Sequence, residues 1–323
     1  MSATVLLTGG TGIVGNAIAR ELVDRGRSVR ALVRSLERGR ALLPDAVELV
    51  LGDVTDPVSV ASALSGCDVA YHAAGLPEQW LADPATFARV NVEGTRIVAE
   101  AALAAGVARF VYTSTIDVFA CVPGVPFDEG TLAREAKATH YQRSKQAADR
   151  LVAELVARGL PAVFLHPSAV YGPVPAASPG LNQLVRDLAT GAVPMLLPGG
   201  FPVVYAADVA RGHVLAEPRP PGSRFILSES YLTLVEVARA VADLTGAKVP
   251  RVLPSFVAHA VAAAGEGIAR LTGRAPLIPG GQLAFLESNT RPDAARARRE
   301  LAWSPIPFCE ALPATLEFVR AAR

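Results

Sequence analysis

The stretch TGGTGIVG, residues 8–15, decides the fold because it places glycines between a short apolar strand and a helix-forming segment. Gly10, Gly12 and Gly15 satisfy the spacing G-x-G-x-x-G, and Gly9, Gly12 and Gly15 satisfy G-x-x-G-x-x-G. Glycines let the backbone turn sharply and approach a pyrophosphate closely, and the helix that follows offers its free N–H groups to the phosphates. The stretch predicts a dinucleotide site, with a merely tight strand–helix turn as the alternative.

The end of the second predicted strand, ALVRS (31–35), favours a phosphorylated cofactor. An acidic residue about 20 residues after the glycines is typical of NAD(H) binding, because it accepts hydrogen bonds from the ribose. Arg34 stands there instead, with Arg38 just beyond. A guanidinium binds a 2′-phosphate, which a carboxylate would repel. NADP(H) is therefore predicted over NAD(H), unless Arg34 is only a solvated charge at a strand end.

Asp53 follows the third predicted strand in the segment LGDVTD and has two interpretations. Its carboxylate could accept a hydrogen bond from the adenine amino group of the cofactor. Alternatively, it could cap the helix that follows, a position that favours aspartate.

The first half of the chain alternates short β-branched runs with helical segments. Nearly uninterrupted apolar strands separated by helices are typical of a parallel sheet covered on both faces. Six such strands predict a doubly wound α/β Rossmann domain at 1–170. Beyond it, proline and glycine clusters between helices predict a smaller, mostly helical substrate-binding cap at 171–323, with about 201–216 returning to the core. The predicted strands are Val5–Thr8, Val29–Val33, Val47–Leu51, Val69–Ala73, Phe110–Thr113 and Val163–His166, and the predicted helices include 13–25, 86–105 and 141–158.

Composition excludes several classes of function. A net charge of +1 over 323 residues gives no electrostatic case for binding nucleic acid. Cys67, Cys121 and Cys309 lie far apart without Cys-x-x-Cys spacing, so neither a disulfide framework nor a metal site is expected. The first strand begins at once, which predicts no signal peptide and a cytoplasmic location. The apolar segment 256–271 is too short and too charged for a transmembrane helix and predicts a buried or interfacial one.

Seven short motifs occur in order along the chain: TGGTGIVG, GDVTD, YHAAG, RVNVEGT, VYTST, YQRSK and HPSAVYGP. Together they resemble the extended short-chain dehydrogenase/reductases, the NAD-dependent epimerase/dehydratase family. The resemblance covers essentially the whole chain, including DAARARRELAWSP (293–305), which is similar to that family's C-terminal signature. Arg34 and the segment after HAAG look most like the branch of dihydroflavonol 4-reductases and 3β-hydroxysteroid dehydrogenases.

The resemblance implies the reaction centre. Tyr141 and Lys145 are neighbours on a helix face, a spacing that many surface helices share by chance. In this family the same pair is catalytic: Tyr141 would give or take a proton, and Lys145 would contact the nicotinamide ribose and stabilise the phenolate. Thr115 would hold the substrate oxygen, and Asn91 would support the lysine through the backbone and water.

The resemblance also implies the cofactor contacts. HPSAVYGP resembles the loop that contacts the nicotinamide carboxamide, with Val170 as a backbone partner, although arginine is commoner in the family where His166 stands. His72 is interpreted as a strand-end residue, and His140 and His213 as residues on helix surfaces. The expected cofactor contacts are Gly9, Gly12, Ile13, Val14, Gly15, Arg34, Arg38, Asp53, Val54, Ala73, Ala74, Lys145, Pro167 and Val170.

The resemblance to this branch, together with Arg34, implies an NADP(H)-dependent oxidoreductase that interconverts a ketone and a secondary alcohol on a fairly apolar, often cyclic, small molecule. Residues after the catalytic strands or within the proline and glycine loops are candidates for the pocket wall. Ordinary packing between cap and sheet is the alternative for each of them. The candidates are Trp80, Ile116, Phe119, Tyr171, Asn182, Phe201 and Tyr205.

Two other functions share the fold. A nucleotide-sugar epimerase or dehydratase keeps its cofactor bound, usually favours NAD, and needs cations for a substrate diphosphate, for which Arg186, Arg211 and Arg291 are candidates. A nonenzymatic cofactor sensor typically lacks the catalytic tyrosine or lysine, and both are present here. A homodimer through the helices at 86–105 and 141–158 is the habit of the family.

Overall fold

The computed structural model describes residues 4–78, 80–176, 180–272, 276, 278 and 280–321. Its strands are β1 (Thr4–Thr8), β2 (Ser28–Val33), β3 (Glu48–Leu51), β4 (Val69–His72), β5 (Arg109–Thr113), β6 (Pro126–Phe127), β7 (Ala162–Pro167), β8 (Ala169–Tyr171), β9 (Met195–Leu196), β10 (Gly200–Tyr205), β11 (Arg224–Leu227), β12 (Ser230–Thr233), β13 (Arg251–Val252) and β14 (Arg291–Pro292). Its α-helices are α1 (Ile13–Asp24), α2 (Leu36–Leu42), α3 (Pro57–Leu64), α4 (Ala85–Phe87), α5 (Gly94–Ala105), α6 (His140–Ala157), α7 (Leu181–Thr190), α8 (Ala206–Ala216), α9 (Leu234–Thr245), α10 (Ser255–Thr272), α11 (Gly280–Glu287), α12 (Ala295–Leu301) and α13 (Phe308–Ala321). A π-helical segment (Ala88–Glu93) joins α4 to α5, and a 3-10 turn (Ile116–Val118) follows β5.

Within the described residues, seven parallel strands form the main sheet in the order β11-β7-β5-β4-β1-β2-β3. Its inner strands are apolar on both sides, and Leu6, Leu7 and Val111 are completely buried. The order reverses between β1 and β4, which opens a crevice outside the carboxyl ends of these strands. The doubly wound Rossmann fold predicted from the sequence is confirmed.

Helices cover both faces of this sheet, as a buried parallel sheet requires. On one face, Ile18 and Leu22 of α1 share a core with Val209 and Ala210 of α8. On the other face, α3, α5 and α6 pack through a separate apolar cluster that includes Val152. The helix α6, which carries the predicted catalytic pair, is thereby fixed against the sheet by its apolar side.

The strand β11 differs from the sequence expectation. Six strands are predicted, and residues 224–227 fall within the predicted cap. In the structure these residues pair with β7 at the edge of the main sheet, and Phe225, Ile226 and Leu227 are completely buried. The run has four residues and follows the proline-rich loop PRPPG, so its length and flanks do not distinguish it from a cap segment.

The cap is built on a second sheet, β12-β10-β8, with α7, α9 and α13 packed around it. Only Ser168 separates β7 from β8, so the chain passes directly from the main sheet into the cap at the carboxyl edge. Asn182 fixes this passage, because its side-chain amide accepts from the N–H of Gly172 at 3.0 Å and donates to its carbonyl at 2.7 Å. Over the described ranges, every helix is too short or too polar to cross a membrane.

Candidate active site

The glycine loop is pressed against the end of β4. Gly9 has φ +73, and a Cβ added there would lie 2.5 Å from backbone atoms of Ala73 and Ala74. A Cβ on Gly15 would lie 2.2 Å from the carbonyl oxygen of Gly9. Side chains cannot occupy such positions without moving backbone, so packing alone requires glycine at both. The sequence motif is therefore partly explained by how β1, α1 and β4 meet.

Gly12 is different and points to a ligand. A Cβ there would meet, within the described chain, the Gly9 carbonyl oxygen at 3.4 Å, an ordinary contact. Gly12 is also the N-cap of α1, where no described side chain caps the helix and no acid lies in its first turn. Ile13 and Val14, the first two residues of the helix, are partly exposed. Free N–H groups at a helix N-terminus bind phosphate, so this cradle fits a dinucleotide pyrophosphate.

The residues expected to contact the ribose and the adenine lie at the carboxyl edge of the main sheet. Arg34 follows β2 and is exposed, as is Arg38 in the first turn of α2. Asp53 uses Oδ1 to accept from the N–H and the hydroxyl of Thr55, at 2.9 and 2.8 Å. The cap of α3 is Asp56, so the capping interpretation of Asp53 does not hold. Val54 packs against the start of α5 beside these groups.

The first turn of α6 is fixed around Tyr141. Thr139 and Gln142 form a reciprocal capping box, in which each side chain accepts a hydrogen bond from the other's backbone N–H. The Gln142 amide then donates to Asp117 Oδ1 at 2.9 Å, and Asp117 Oδ2 accepts from the Thr115 hydroxyl at 3.1 Å. Gln142 at the start of α6 thus orients Asp117 in the 3-10 turn, and Asp117 in turn orients Thr115 after β5. Tyr141 itself is 9% exposed.

Lys145 is buried one turn after Tyr141. Its Nζ donates to the carbonyl of Thr113 at 3.0 Å and lies 5.3 Å from the centre of the Tyr112 ring. Burial lowers the pKa of Lys145 to about 8, although the charge of Asp149 opposes the shift. A lysine held this way changes its charge near neutral pH, which is characteristic of functional sites.

The environment of Tyr141 acts in the opposite direction. Burial raises the pKa of the Tyr141 phenol, the Asp117 charge raises it further, and the neighbouring Thr115 hydroxyl lowers it. Tyr141 is therefore a protonated phenol at neutral pH in this structure. A proton held on a buried phenol, beside a hydroxyl and a cation, is suited to protonating a developing alkoxide.

Asn91 lies in the π-helical segment, a feature that is frequent at functional sites. Its Oδ1 accepts from the N–H of Leu76 at 2.7 Å, and its Nδ2 donates to Ser144 Oγ at 2.9 Å. A Cβ placed on Gly75 would lie 3.3 Å from this Oδ1 and 3.9 Å from Lys145 Nζ. The structure therefore brings Asn91 and Lys145 to the same short loop after β4.

The predicted nicotinamide loop contains a polar atom without a partner. Pro167 ends β7, Val170 lies in β8, and Ser168 between them is 7% exposed. In the part of the chain that the structure describes, Ser168 Oγ has no hydrogen-bond partner, and neither has Glu78 Oε2 near Tyr141. Buried polar atoms are normally paired, so both fit contacts to a bound molecule. Ser168 lies within the motif HPSAVYGP, in which Pro167 and Val170 are the expected cofactor contacts, whereas Glu78 lies outside the seven motifs.

The candidate pocket residues lie in three places. Ile116 and Phe119 belong to the main core, and the Phe119 ring lies 4.7 Å from the centre of the His166 ring. Tyr171 is buried in the cap core against Phe308, with its hydroxyl unpartnered within the described chain. Among the remaining candidates, Asn182 binds the backbone of Gly172, Phe201 and Tyr205 share the cap core, and Trp80 is half-buried in the loop after β4.

Two histidines tie the strand ends together. His72 binds the Thr8 hydroxyl at 2.7 Å and the Thr95 hydroxyl at 3.0 Å, which joins β4 to β1 and α5. His213 is not on the helix surface, contrary to expectation. It is completely buried and binds the Thr113 hydroxyl at 2.9 Å. Burial lowers the pKa of His72 to about 3 and of His213 to about 4, so both are neutral linkers.

The glycines provide a matched test of the cradle. We expect Gly12→Ala to change the free energy of unfolding by less than about 1 kcal/mol, since its Cβ has room, while weakening NADPH binding at least about tenfold by occupying the phosphate side. We expect Gly15→Ala to destabilise the fold itself. Urea unfolding and NADPH titration measure the two effects. Unchanged NADPH affinity in a folded Gly12→Ala variant would contradict the cradle.

Comparison with known proteins identifies the family. The family model for the NAD dependent epimerase/dehydratase family matches residues 5–225. The chain is 31% identical over 307 residues to sterol demethylase protein B of Methylococcus capsulatus, covering 94% of each chain. It is 28% identical over 309 residues to a putative dihydroflavonol 4-reductase of Synechocystis sp., covering 93% of this chain and 90% of the relative. The solved structure of gox2253 superposes with a TM-score of 0.84 at 32% identity, covering 100% of this chain and 99% of that one. The chain belongs to the NAD-dependent epimerase/dehydratase family of extended short-chain dehydrogenase/reductases.

Proposed function

We propose that this protein is an NADP(H)-dependent oxidoreductase that interconverts a ketone and a secondary alcohol on a fairly apolar small molecule. The observation that carries the proposal is the convergence of Tyr141, Lys145 and Thr115 beside the glycine cradle. A buried phenol, a buried ammonium and a hydroxyl there are the groups that carbonyl reduction needs.

We assign the roles by similarity to the family. In the reductive direction, Thr115 and Tyr141 hold the carbonyl oxygen, and the Thr115 hydroxyl turns its hydrogen from Asp117 towards that oxygen. Tyr141 donates its proton as the oxygen gains charge, and the Lys145 ammonium stabilises the phenolate that remains. The nicotinamide, when bound, supplies the hydride. Asn91 keeps the loop at Gly75 and Leu76 closed over Lys145.

The cationic anchors that an epimerase would need are used elsewhere. Arg186 donates from Nε to the Val319 carbonyl at 3.1 Å, and Arg211 is paired with Asp208. Arg291 donates to Asn289 and its guanidinium lies 4.4 Å from the centre of the Tyr231 ring. Each side chain therefore has a protein partner, and the three arginines lie in different parts of the fold, although Arg211 Nε has no partner among the described residues. This arrangement favours a reductase over an enzyme that binds a nucleotide diphosphate.

The named relatives support an apolar, cyclic substrate. A sterol and a dihydroflavonol are both polycyclic, and the candidate cap residues Tyr171, Phe201 and Tyr205 are aromatic. Arg34 supports NADP(H), because it stands where a carboxylate would favour NAD(H).

Replacement of Tyr141 tests the enzyme directly. Wild-type protein should oxidise NADPH with at least one member of a panel of aryl ketones, cyclic ketones, ketosteroids and β-keto esters. We expect Tyr141→Phe to lower kcat about 100-fold or more, because it removes the proton donor, and to leave the Kd for NADPH unchanged. Tyr231→Phe is the matched control on β12 and should keep full activity. Equal activity in the Tyr141→Phe and wild-type proteins would refute the role of the phenol.

Arg34 tests the cofactor preference. Replacing Arg34 with aspartate should lower kcat/KM for NADPH about 10- to 100-fold, since it removes a charged partner of the 2′-phosphate, while kcat/KM for NADH should hold or rise. Arg40→Asp makes the same charge change in the exposed last turn of α2. If Arg34→Asp and Arg40→Asp lower kcat/KM for NADPH equally, the effect is general charge repulsion and Arg34 has no special role.

The lysine predicts a limit on activity at high pH. Lys145 carries its charge below about pH 8 and loses it above. We therefore expect kcat/KM for NADPH, which reports the free enzyme, to fall as pH rises through about 8. The charged groups that act on Lys145 are Asp149 and Asp117, and the titratable groups that its charge affects are the neutral His72 and His166. Lys145→Arg keeps its charge at all these pH values, so its residual kcat/KM should not fall in this range. The same fall of kcat/KM above about pH 8 in that variant would contradict the assignment to Lys145.

A further inference from the structure

A buried ion pair lies behind the active site, and the proposed chemistry does not use it. Asp149, one turn after Lys145 in α6, is 2% exposed, and its Oδ1 lies 2.7 Å from Nη1 of Arg224 in β11. The Arg224 guanidinium also lies 4.0 Å from the centre of the Phe164 ring. Buried pairs often contribute little net stability because both charges lose water. The groups that the pair holds in place are therefore more informative than its contribution to stability.

The pair binds residues at the ends of two adjacent strands. Asp149 Oδ2 accepts from the hydroxyl of Ser114 at 2.6 Å, directly after β5. Arg224 Nη1 lies 3.3 Å from Nε2 of His166, in β7. His166 Nδ1 in turn lies 3.2 Å from the carbonyl oxygen of Thr115. A continuous chain of contacts thus runs from Asp149 through Arg224 and His166 to the backbone of the predicted catalytic threonine.

These contacts determine which nitrogen of His166 carries the hydrogen. A guanidinium is only a donor, so Nε2 of His166 must accept from Arg224. Burial lowers the pKa of His166 to about 3, so the ring is neutral and carries one hydrogen. That hydrogen is on Nδ1, where it is donated to the Thr115 carbonyl. The Thr115 carbonyl only accepts, so its contact with Nδ1 favours the same tautomer that Arg224 favours at Nε2.

Thr115 needs such a support because the sheet does not supply one. The N–H of Ser114 makes the last ladder bond from this segment, to the Leu165 carbonyl at 2.7 Å. Thr115 comes next, in extended conformation, and caps the 3-10 turn that follows. Its carbonyl pairs with no strand: it accepts from the N–H of Val118 in that turn at 3.4 Å and lies 3.2 Å from Nδ1 of His166.

We propose that Asp149, Arg224 and His166 form a positioning relay that orients the Thr115 hydroxyl. Arg224, held by Asp149, anchors Nε2 of the imidazole and keeps the hydrogen on Nδ1. The imidazole then holds the Thr115 carbonyl, and the peptide so fixed aims the hydroxyl at the substrate oxygen. All three are positioning residues, since none lies where a substrate or cofactor would contact it. The relay rests on the proposed function, in which Thr115 binds the substrate oxygen.

The tautomer is measured without substrate or cofactor. Nitrogen NMR of the ¹⁵N-histidine-labelled protein, with the His166 signals assigned by their loss in His166→Asn, should show a protonated Nδ1 and an unprotonated Nε2 between pH 5 and 8. A protonated Nε2 in the wild-type protein would overturn the relay. This result does not depend on finding a substrate, so the relay and the proposed function can fail separately.

Two replacements of His166 separate positioning from structure. In His166→Asn the amide nitrogen can take the place of Nδ1 and still donate to the Thr115 carbonyl. In His166→Gln the amide reaches the place of Nε2 and keeps the contact with Arg224 instead. We expect His166→Asn to stay within about threefold of the wild-type kcat, and His166→Gln to lose about 10- to 100-fold because Thr115 shifts. The Kd for NADPH should be the same in both.

The ion pair is tested by removing both charges together, since an unpaired buried carboxylate would destabilise the fold. The Asp149→Asn, Arg224→Met double variant keeps an acceptor for Ser114. Because it also removes the Asp149 charge that opposes proton loss from Lys145, the kcat values are compared at about pH 6, where Lys145 is charged. We expect the double variant to lower kcat about as much as His166→Gln, with the KM for NADPH unchanged. The free energy of unfolding is measured for His166→Asn, His166→Gln and the double variant. If kcat falls in proportion to that free energy in all three, the network has only a structural role and the relay is refuted. If the wild-type protein reduces no carbonyl, the proposed function fails and the NMR result alone decides the relay.

Discussion

Lys145 carries a buried ammonium group, and the residues around it must stabilise its charge. Taking a cation out of water is costly unless hydrogen bonds and opposite charges replace the lost hydration. The Thr113 carbonyl accepts directly from the ammonium, and the carboxylates of Asp117 and Asp149 oppose the loss of its proton. The resulting pKa of about 8 leaves the group charged at neutral pH but close to its limit. The end of β5, the 3-10 turn that follows it and the helix α6 together supply these groups.

Neutral histidines complete the same region. His72, His166 and His213 are each at most 1% exposed, and burial lowers the pKa of each to about 3 or 4. Each therefore links two elements by hydrogen bonds without adding a charge beside Lys145. At an ordinary pKa of about 6.5 they would gain charge in mildly acidic solution. Their burial keeps the electrostatic environment of the lysine constant over the pH range in which the enzyme is proposed to work.

Sequence reasoning was accurate where a local pattern has a single physical cause. The six predicted strands were confirmed because continuous β-branched runs form buried parallel strands, and the glycine loop meets β4 as a dinucleotide motif would. It failed where the answer depends on packing between distant segments. The run at Arg224 joins β7 after a proline-rich loop, and His213 is buried only because α8 packs on the sheet. No sequence pattern pointed to Asp149, since its partner Arg224 lies 75 residues later in the strand β11. The predicted site residues and the domain boundary stay predictions.

The most direct test of the account follows a hydride. NADPH carrying deuterium at both hydrogen positions of C4 of the nicotinamide would be incubated with the protein and the best ketone of the panel, and the product analysed by mass spectrometry and NMR. The account predicts deuterium on the carbinol carbon and one equivalent of cofactor oxidised for each alcohol formed. Cofactor that is not consumed, together with an isomerised substrate that carries no deuterium, would contradict it and indicate an epimerase.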